Sequence, residues 1–229
     1  MHDRGVGVPV SRATEVPPPL YIEPVPAAYR GQEERALHLV RTSLDSATVR
    51  GEGRVIPIVQ YAAAVLHNSL GQYREALAAT DWAVEHDDIG MYGYGLGERV
   101  EAAARCGETA IAMEAMGKLA ERADAAGTEM ALGVVARSRA LVAQGAEADG
   151  LYRAAIGHLE RSKVGVLQAR AQLPYGEWLR SGTRRPASAP GFSSFPRAQR
   201  CPSRRAPTAA WWPRPGSTGR FGCWATRWR

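Results

Sequence analysis

The chain has 229 residues, 45% of them hydrophobic, enough for the core of one or two domains. Its formal charge of +6 is unevenly held: residues 181–229 carry 10 Arg and no acid, leaving 19 basic against 23 acidic residues in 1–180, a net of −4. The pI of about 9.5 thus rests on the last fifth of the chain and is no argument for a nucleic-acid-binding body. No stretch reaches the roughly 18 consecutive apolar residues of a membrane span. Cys106, Cys201 and Cys223 form no close pair, and the N-terminus carries no leader-like apolar run. A soluble, reduced, cytoplasmic protein is expected.

Residues 1–26 are rich in breakers, with Pro9, Pro17, Pro18, Pro19, Pro24 and Pro26. Consecutive prolines exclude a helix interior, so an extended or disordered arm is expected there, with Leu20-Tyr21-Ile22 as its anchor. From Ala27 the pattern turns helical. Ala36, Leu37, Val40, Leu44 and Ala47 recur at three- and four-residue spacing and predict an amphipathic helix that Gly51 ends. Pro57 is suited to a helix start, and Ile58, Tyr61, Ala62, Val65, Leu66 and Leu70 continue to Gly71. A further helix follows to about His86, with Asp87-Asp88-Ile89-Gly90 as its exit. The glycines of Gly93-Tyr94-Gly95-Leu96-Gly97 predict a flexible inter-repeat loop, and helix resumes at Val100 to Cys106. Ile111, Met113, Met116, Leu119 and Ala123 form the next stripe, ending at Gly127. Thr128 is an N-cap with Glu129 in the first turn of a helix running to Val142. Ala148, Tyr152 and Ala155 mark another helix, and a last one is expected from Val164 to Arg180.

The most readable stretch is Leu70-Gly71-Gln72-Tyr73-Arg74-Glu75-Ala76-Leu77, continuing to Thr80 and Ala83. Ala76, Thr80 and Ala83 share a helical face, where small residues let a neighbouring helix come close. Glycine, aromatic and small residues in this order resemble a tetratricopeptide-type helical hairpin. Gly71, Gly107 and Gly145, spaced 36 and 38 residues, are read as the turns of successive hairpins. The residues expected to hold the repeats together are Gly71, Tyr73, Ala76, Ala83, Gly107, Ala112, Gly145, Ala148, Tyr152, Ala155, Gly176 and Trp178. The fold expected is an all-α, short right-handed solenoid over residues 27–180.

Residues 181–229 break the pattern. They contain no Leu, Ile, Val or Met, but 7 Pro and 4 Trp beside the 10 Arg. No apolar stripe can form from such a sequence. The composition matches an out-of-frame translation of a GC-rich gene. A disordered tail and an arginine–tryptophan nucleic-acid contact are the other two readings.

Catalytic signatures are missing. Gly117-Lys118 is followed by Leu119, with Ala112 where a phosphate loop would need glycine. His86-Asp87-Asp88 has no second cluster to complete a metal site, and His2, His38, His67 and His158 stand isolated. No catalytic residue, cofactor or metal is expected.

Residues 27–180 resemble the helical-repeat region of large ATP-dependent LuxR-family transcriptional regulators. The resemblance is carried by Ala28-Tyr29-Arg30-Gly31-Gln32-Glu33, by Leu66-His67-Asn68-Ser69-Leu70-Gly71-Gln72-Tyr73-Arg74-Glu75-Ala76-Leu77, by Ala131 to Leu141, and by Tyr175-Gly176-Glu177-Trp178-Leu179-Arg180. It implies a non-enzymatic scaffold that relays a signal to an ATPase and a helix-turn-helix domain, neither of which this chain contains. The chain departs from that pattern at Pro24 and Pro26 and throughout after Arg180. A stand-alone adaptor that binds a peptide or protein on its concave face is the alternative, and a nucleic-acid binder acting through the tail is a second. Nucleic acid and membrane are not expected as partners of this fragment alone. Self-association through an uncapped last repeat is expected, with Tyr175, Trp178 and Leu179 partly exposed.

Overall fold

The computed structural model describes residues 20–85 and 92–182. Among them every regular element is helical. A single 3-10 turn at Leu20–Ile22 precedes nine α-helices: α1 (Pro24–Tyr29), α2 (Glu33–Arg50), α3 (Val55–Ser69), α4 (Tyr73–Glu85), α5 (Tyr92–Cys106), α6 (Thr109–Ala126), α7 (Glu129–Val142), α8 (Gly145–Arg161) and α9 (Gly165–Gly182). The expected all-α array of helical hairpins is what forms. Odd-numbered helices pack on one another along one side of the array, and each even-numbered helix wedges between two odd ones. The odd helices therefore make an inner layer and the even helices an outer one. Residues 1–19, 86–91 and 183–229 lie outside the described residues. So do the expectations of an extended arm before Leu20, of a solvated exit at His86-Asp87-Asp88, and of a disordered or out-of-frame tail.

One turn geometry recurs. Gly31, Gly71 and Gly107 adopt φ of +66°, +75° and +79°. The next residue's N–H then reaches back over the helix end: Gln32 to Ala27 O at 3.1 Å, Gln72 to His67 O at 2.8 Å and Glu108 to Ala103 O at 2.9 Å. This satisfies carbonyls that the helix itself leaves open, and the left-handed residue it needs is cheapest as glycine. Gly71→Ala is expected to cost about 1 kcal/mol through that φ alone. No neighbouring side chain contributes, since the nearest atom to an added Cβ is the Tyr73 hydroxyl at 4.0 Å. Chemical denaturation of the two proteins measures it.

Five residues beyond each turn stands an alanine with no exposed surface: Ala36, Ala76, Ala112 and, in the fourth hairpin, Ala148. Counting back from Ala148 puts the fourth turn at Ala143, 36 residues after Gly107, rather than at Gly145. Ala143 is extended (ψ 167°), and its N–H bonds Arg139 O at 3.0 Å. Gly145 is the first residue of α8. Counted on the buried alanines the period is thus 36 residues twice running, and Gly145, left-handed at φ +56°, ends the same turn two residues later.

Three other expectations need correction. Pro24 and Pro26 lie inside α1 instead of in an extended arm, and the helical body starts at Leu20 rather than Ala27. Both prolines fall in the first turn, where a helix has no use for their missing N–H groups. The predicted loop Gly93–Gly97 is the first turn and a half of α5, with Leu96 and Glu98 buried. Gly97 is there for close approach: a Cβ would come within 3.1 Å of Val134 Cγ1 on α7. Met113 is half-exposed, and the buried stripe of α6 is Ala112, Ala115, Leu119 and Ala123. Thr128 caps α7 as expected, its hydroxyl accepting from the Ala131 N–H at 3.3 Å.

No helix among the described residues is long and apolar enough to cross a membrane.

Candidate functional site

The residues singled out from the sequence are distributed through the packing and form no common site. Ala76, Ala112, Ala148, Tyr152 and Ala155 are buried between helices. Gly71 and Gly107 sit at turns and Gly145 at a helix start. Tyr73 opens α4 and lies under the Arg105 guanidinium, 5.7 Å from ring centre to Cζ. Ala83 is in α4, but its side chain is outside the described residues. Gly176 is half-buried in α9, and a Cβ there would meet only Arg180 Nη1 at 3.9 Å, so packing does not demand glycine. Trp178 stacks on Tyr175 (6.1 Å, 19°), and Tyr175 stacks on Tyr152 (5.3 Å, 30°). Tyr175 and Trp178 are half-buried and Leu179 is 43% exposed, as expected for the last helix. Burial pushes the Tyr152 hydroxyl up to about 12, so it stays neutral.

The concentrated chemistry is elsewhere, on the inner face. The i, i+3 spacing of Glu98 and Glu101 puts both carboxylates on one side of α5. Arg170 of α9 reaches across α7 to both, with Nη2 at 2.5 Å from Glu98 Oε2 and 2.9 Å from Glu101 Oε2. Arg137 of α7 lies between them, 3.7 Å from Glu98 Oε1 and 3.5 Å from Glu101 Oε2. Asn68, at the end of α3, donates its amide to Glu98 Oε2 at 2.9 Å and to the Glu98 carbonyl at 3.0 Å. A second bridge joins the same two helices farther along, Arg105 of α5 to Glu177 of α9 at 2.5 Å. Beside the charges runs a row of rings: Tyr29 on α1 meets Tyr61 on α3 edge-on at 6.5 Å, and Tyr61 meets Tyr94 on α5 at 5.7 Å. The Tyr29 and Tyr61 hydroxyls are hydrogen-bonded to each other, and the Arg170 guanidinium stands 5.9 Å from the Tyr29 ring.

Glu98, Glu101, Arg137 and Arg170 are nearly excluded from water, and their two negative and two positive charges cancel. Desolvating four ions is costly, and the pairing offsets that cost only while every partner is present. Three polar atoms in the cluster remain buried with no hydrogen-bond partner: Asn68 Oδ1, Arg137 Nε and Arg170 Nη1. Burial alone would raise the Glu101 carboxyl, but Arg170, Arg137 and Arg105 outweigh it and hold the group below its usual range. Burial pushes the Tyr61 hydroxyl up, and the charge of Glu98 pushes it further. Burial would weaken the Arg170 charge, yet Glu98 and Glu101 fix it in place. Held below its usual range, the Glu101 carboxyl stays an ionised acceptor at neutral pH.

A pH dependence follows. The folded Glu101 carboxyl titrates below its unfolded value of 4.5, so its contribution to stability is complete above that pH and is lost as pH falls from there through the lower folded value. The midpoint of thermal unfolding is expected to be level above that range and to drop on acidification. Glu101→Gln should start lower at neutral pH and lose less across the acid range, read by circular dichroism at stepped pH.

Sequence patterning alone missed this site, although a signal exists. Relative to the hairpin turns, Glu101 and Arg137 occupy one repeat position, 36 residues apart, and Glu98 and Arg170 occupy another, two repeats apart. In α3 these positions hold Val65 and Ala62, both buried. A charge at a repeat position that is otherwise apolar marks an inner-face contact.

No protein-family model, curated protein or solved structure matches the chain.

Proposed function

We propose that this chain is the helical-repeat, signal-relay segment of a LuxR-type transcriptional regulator, non-enzymatic, working through the inner face of the array. The observation that supports this most is the composition of that face. It combines acceptor groups, paired guanidiniums and tyrosine rings on helices held at a constant repeat, which suits recognition of another polypeptide. The LuxR assignment itself rests on the motifs around Tyr29, Gly71, Gly133 and Trp178. The ATPase and DNA-reading activities of such a regulator belong to domains outside these residues.

Gene context tests the assignment. ATPase-coding sequence upstream and helix-turn-helix-coding sequence downstream support it, and resequencing the codons of Arg180–Arg185 decides whether the frame changes there. Neither flanking element and an intact frame would sink it, leaving a stand-alone adaptor that binds a peptide or protein. The nucleic-acid alternative is carried by the 10 Arg and 4 Trp of residues 181–229. Deleting those residues should abolish salt-dependent DNA binding if the tail is responsible; unchanged binding removes that reading.

A further inference from the structure

We propose that α9 is a self-ligand of the inner face: Arg170 occupies an acceptor site built by α3 and α5, and an arginine of a partner protein's basic segment takes that site when α9 is displaced. This deepens the scaffold reading above and rests on it.

The charge balance points to one more cation. Without Arg170 the site holds Glu98, Glu101 and Arg137, a net of one negative charge. Its free acceptors would be the Glu98 and Glu101 carboxylate oxygens now on Arg170 and Asn68 Oδ1, which is buried and already unpartnered. The Tyr29 ring adds a face for a planar cation. Several acceptors around one ring suit a guanidinium, with its fork of five N–H donors and its tolerance of stacking, better than a compact ammonium.

Arg170 fills this site imperfectly. Its Nη1 has no partner while Asn68 Oδ1 lacks a donor, so the tether to α9 leaves both a donor and an acceptor unmatched. An arginine arriving on another chain has no such constraint. The attachment of α9 is also suited to release. Leu167 and Ala171 are buried, but Val166, Leu173 and Leu179 are exposed by 40%, 67% and 43%. Pro174 lies inside α9 and has no N–H to give the Arg170 carbonyl, which makes a natural bending point beside the key residue. The outer tie, Arg105 to Glu177, has a carboxylate 44% open to water, where a competing cation can reach it.

Two measurements on the full chain test the proposal. In amide exchange, Glu177→Gln is expected to speed exchange about ten-fold within α9 and leave α3 to α7 unchanged. A rise spread evenly over all helices, or none, would overturn it. In thermal unfolding, Arg170→Ala should lower the midpoint, and ethylguanidinium well below denaturing concentration should recover at least half of the loss. Ethylammonium and sodium chloride at equal ionic strength should not, and wild type should gain nothing. Equal rescue by ethylammonium, or an equal response of wild type, overturns an arginine site. If Arg170→Ala does not fold unaided, its recovery of helicity is compared in ethylguanidinium and in ethylammonium, and equal recovery in the two, or none in either, overturns the arginine site. The two readings fail separately. Absence of guanidinium selectivity removes the self-ligand and leaves the scaffold assignment to the gene context, whereas a locus without ATPase and helix-turn-helix sequences leaves the guanidinium result standing.

Discussion

Glu98→Ala is expected to lower the unfolding free energy by about 3–5 kcal/mol, the range for breaking a buried ion network from one side. Its carboxylate is the common acceptor of Arg170 at 2.5 Å and Asn68 at 2.9 Å, with Arg137 at 3.7 Å. Removing it leaves two guanidiniums facing one carboxylate with almost no water to screen them. Glu98→Gln keeps the shape and one acceptor and should cost less. Converting the pair Glu98 and Arg170 together to Met removes one charge of each sign, and should be markedly milder than the sum of the two single changes. Urea denaturation of the four proteins measures this coupling. Additive costs would show that the charges act independently.

Gly133→Ala is the second large effect, with an expected loss of about 1–3 kcal/mol despite alanine's better helix propensity. A Cβ at Gly133 would stand 2.6 Å from Leu159 Cγ, 2.8 Å from its Cδ2 and 3.2 Å from His158 Cβ. Leu159 is fully buried, so it cannot turn aside, and α7 and α8 would have to separate. Gly117→Ala and Gly150→Ala are the contrast, since nothing lies within 4 Å of either added Cβ. Those two changes should stabilise by about 0.5–1 kcal/mol each, as expected for glycine in an exposed helix interior. Opposite signs for chemically identical substitutions would establish close helix approach as the reason for glycine at position 133.

Much of the array is legible in the sequence because its information is local. The left-handed glycines 71 and 107, the Thr128 cap and the Ala148–Tyr152–Ala155 face are each specified within a few residues. Errors arose where one residue type serves two physical purposes. Glycine at Gly97 and Gly133 admits a neighbouring helix, and the glycine-rich 93–97 stretch looks like a loop for the same reason it can be a tightly packed helix. Proline at Pro24 and Pro26 breaks a helix interior but fits its first turn. Gly145, left-handed like the other turn glycines, sits two residues past the repeat position at Ala143 and so lengthens the apparent period. The Glu98–Arg170 cluster was missed for a different reason. Glu98 and Arg170 lie 72 residues apart, and only the packing of the helices between them brings them together.

That separation bears on how the chain folds. The hairpins can form from contacts between neighbours in sequence, on the microsecond scale of short-loop closure and helix growth. The ties from α5 to α9 close loops of 72 residues, and they cannot form until the helices between have taken their places. Docking of α9 should therefore be a late and distinct kinetic step. During synthesis the inner face would stay open, with its carboxylates in water, until α9 has left the ribosome.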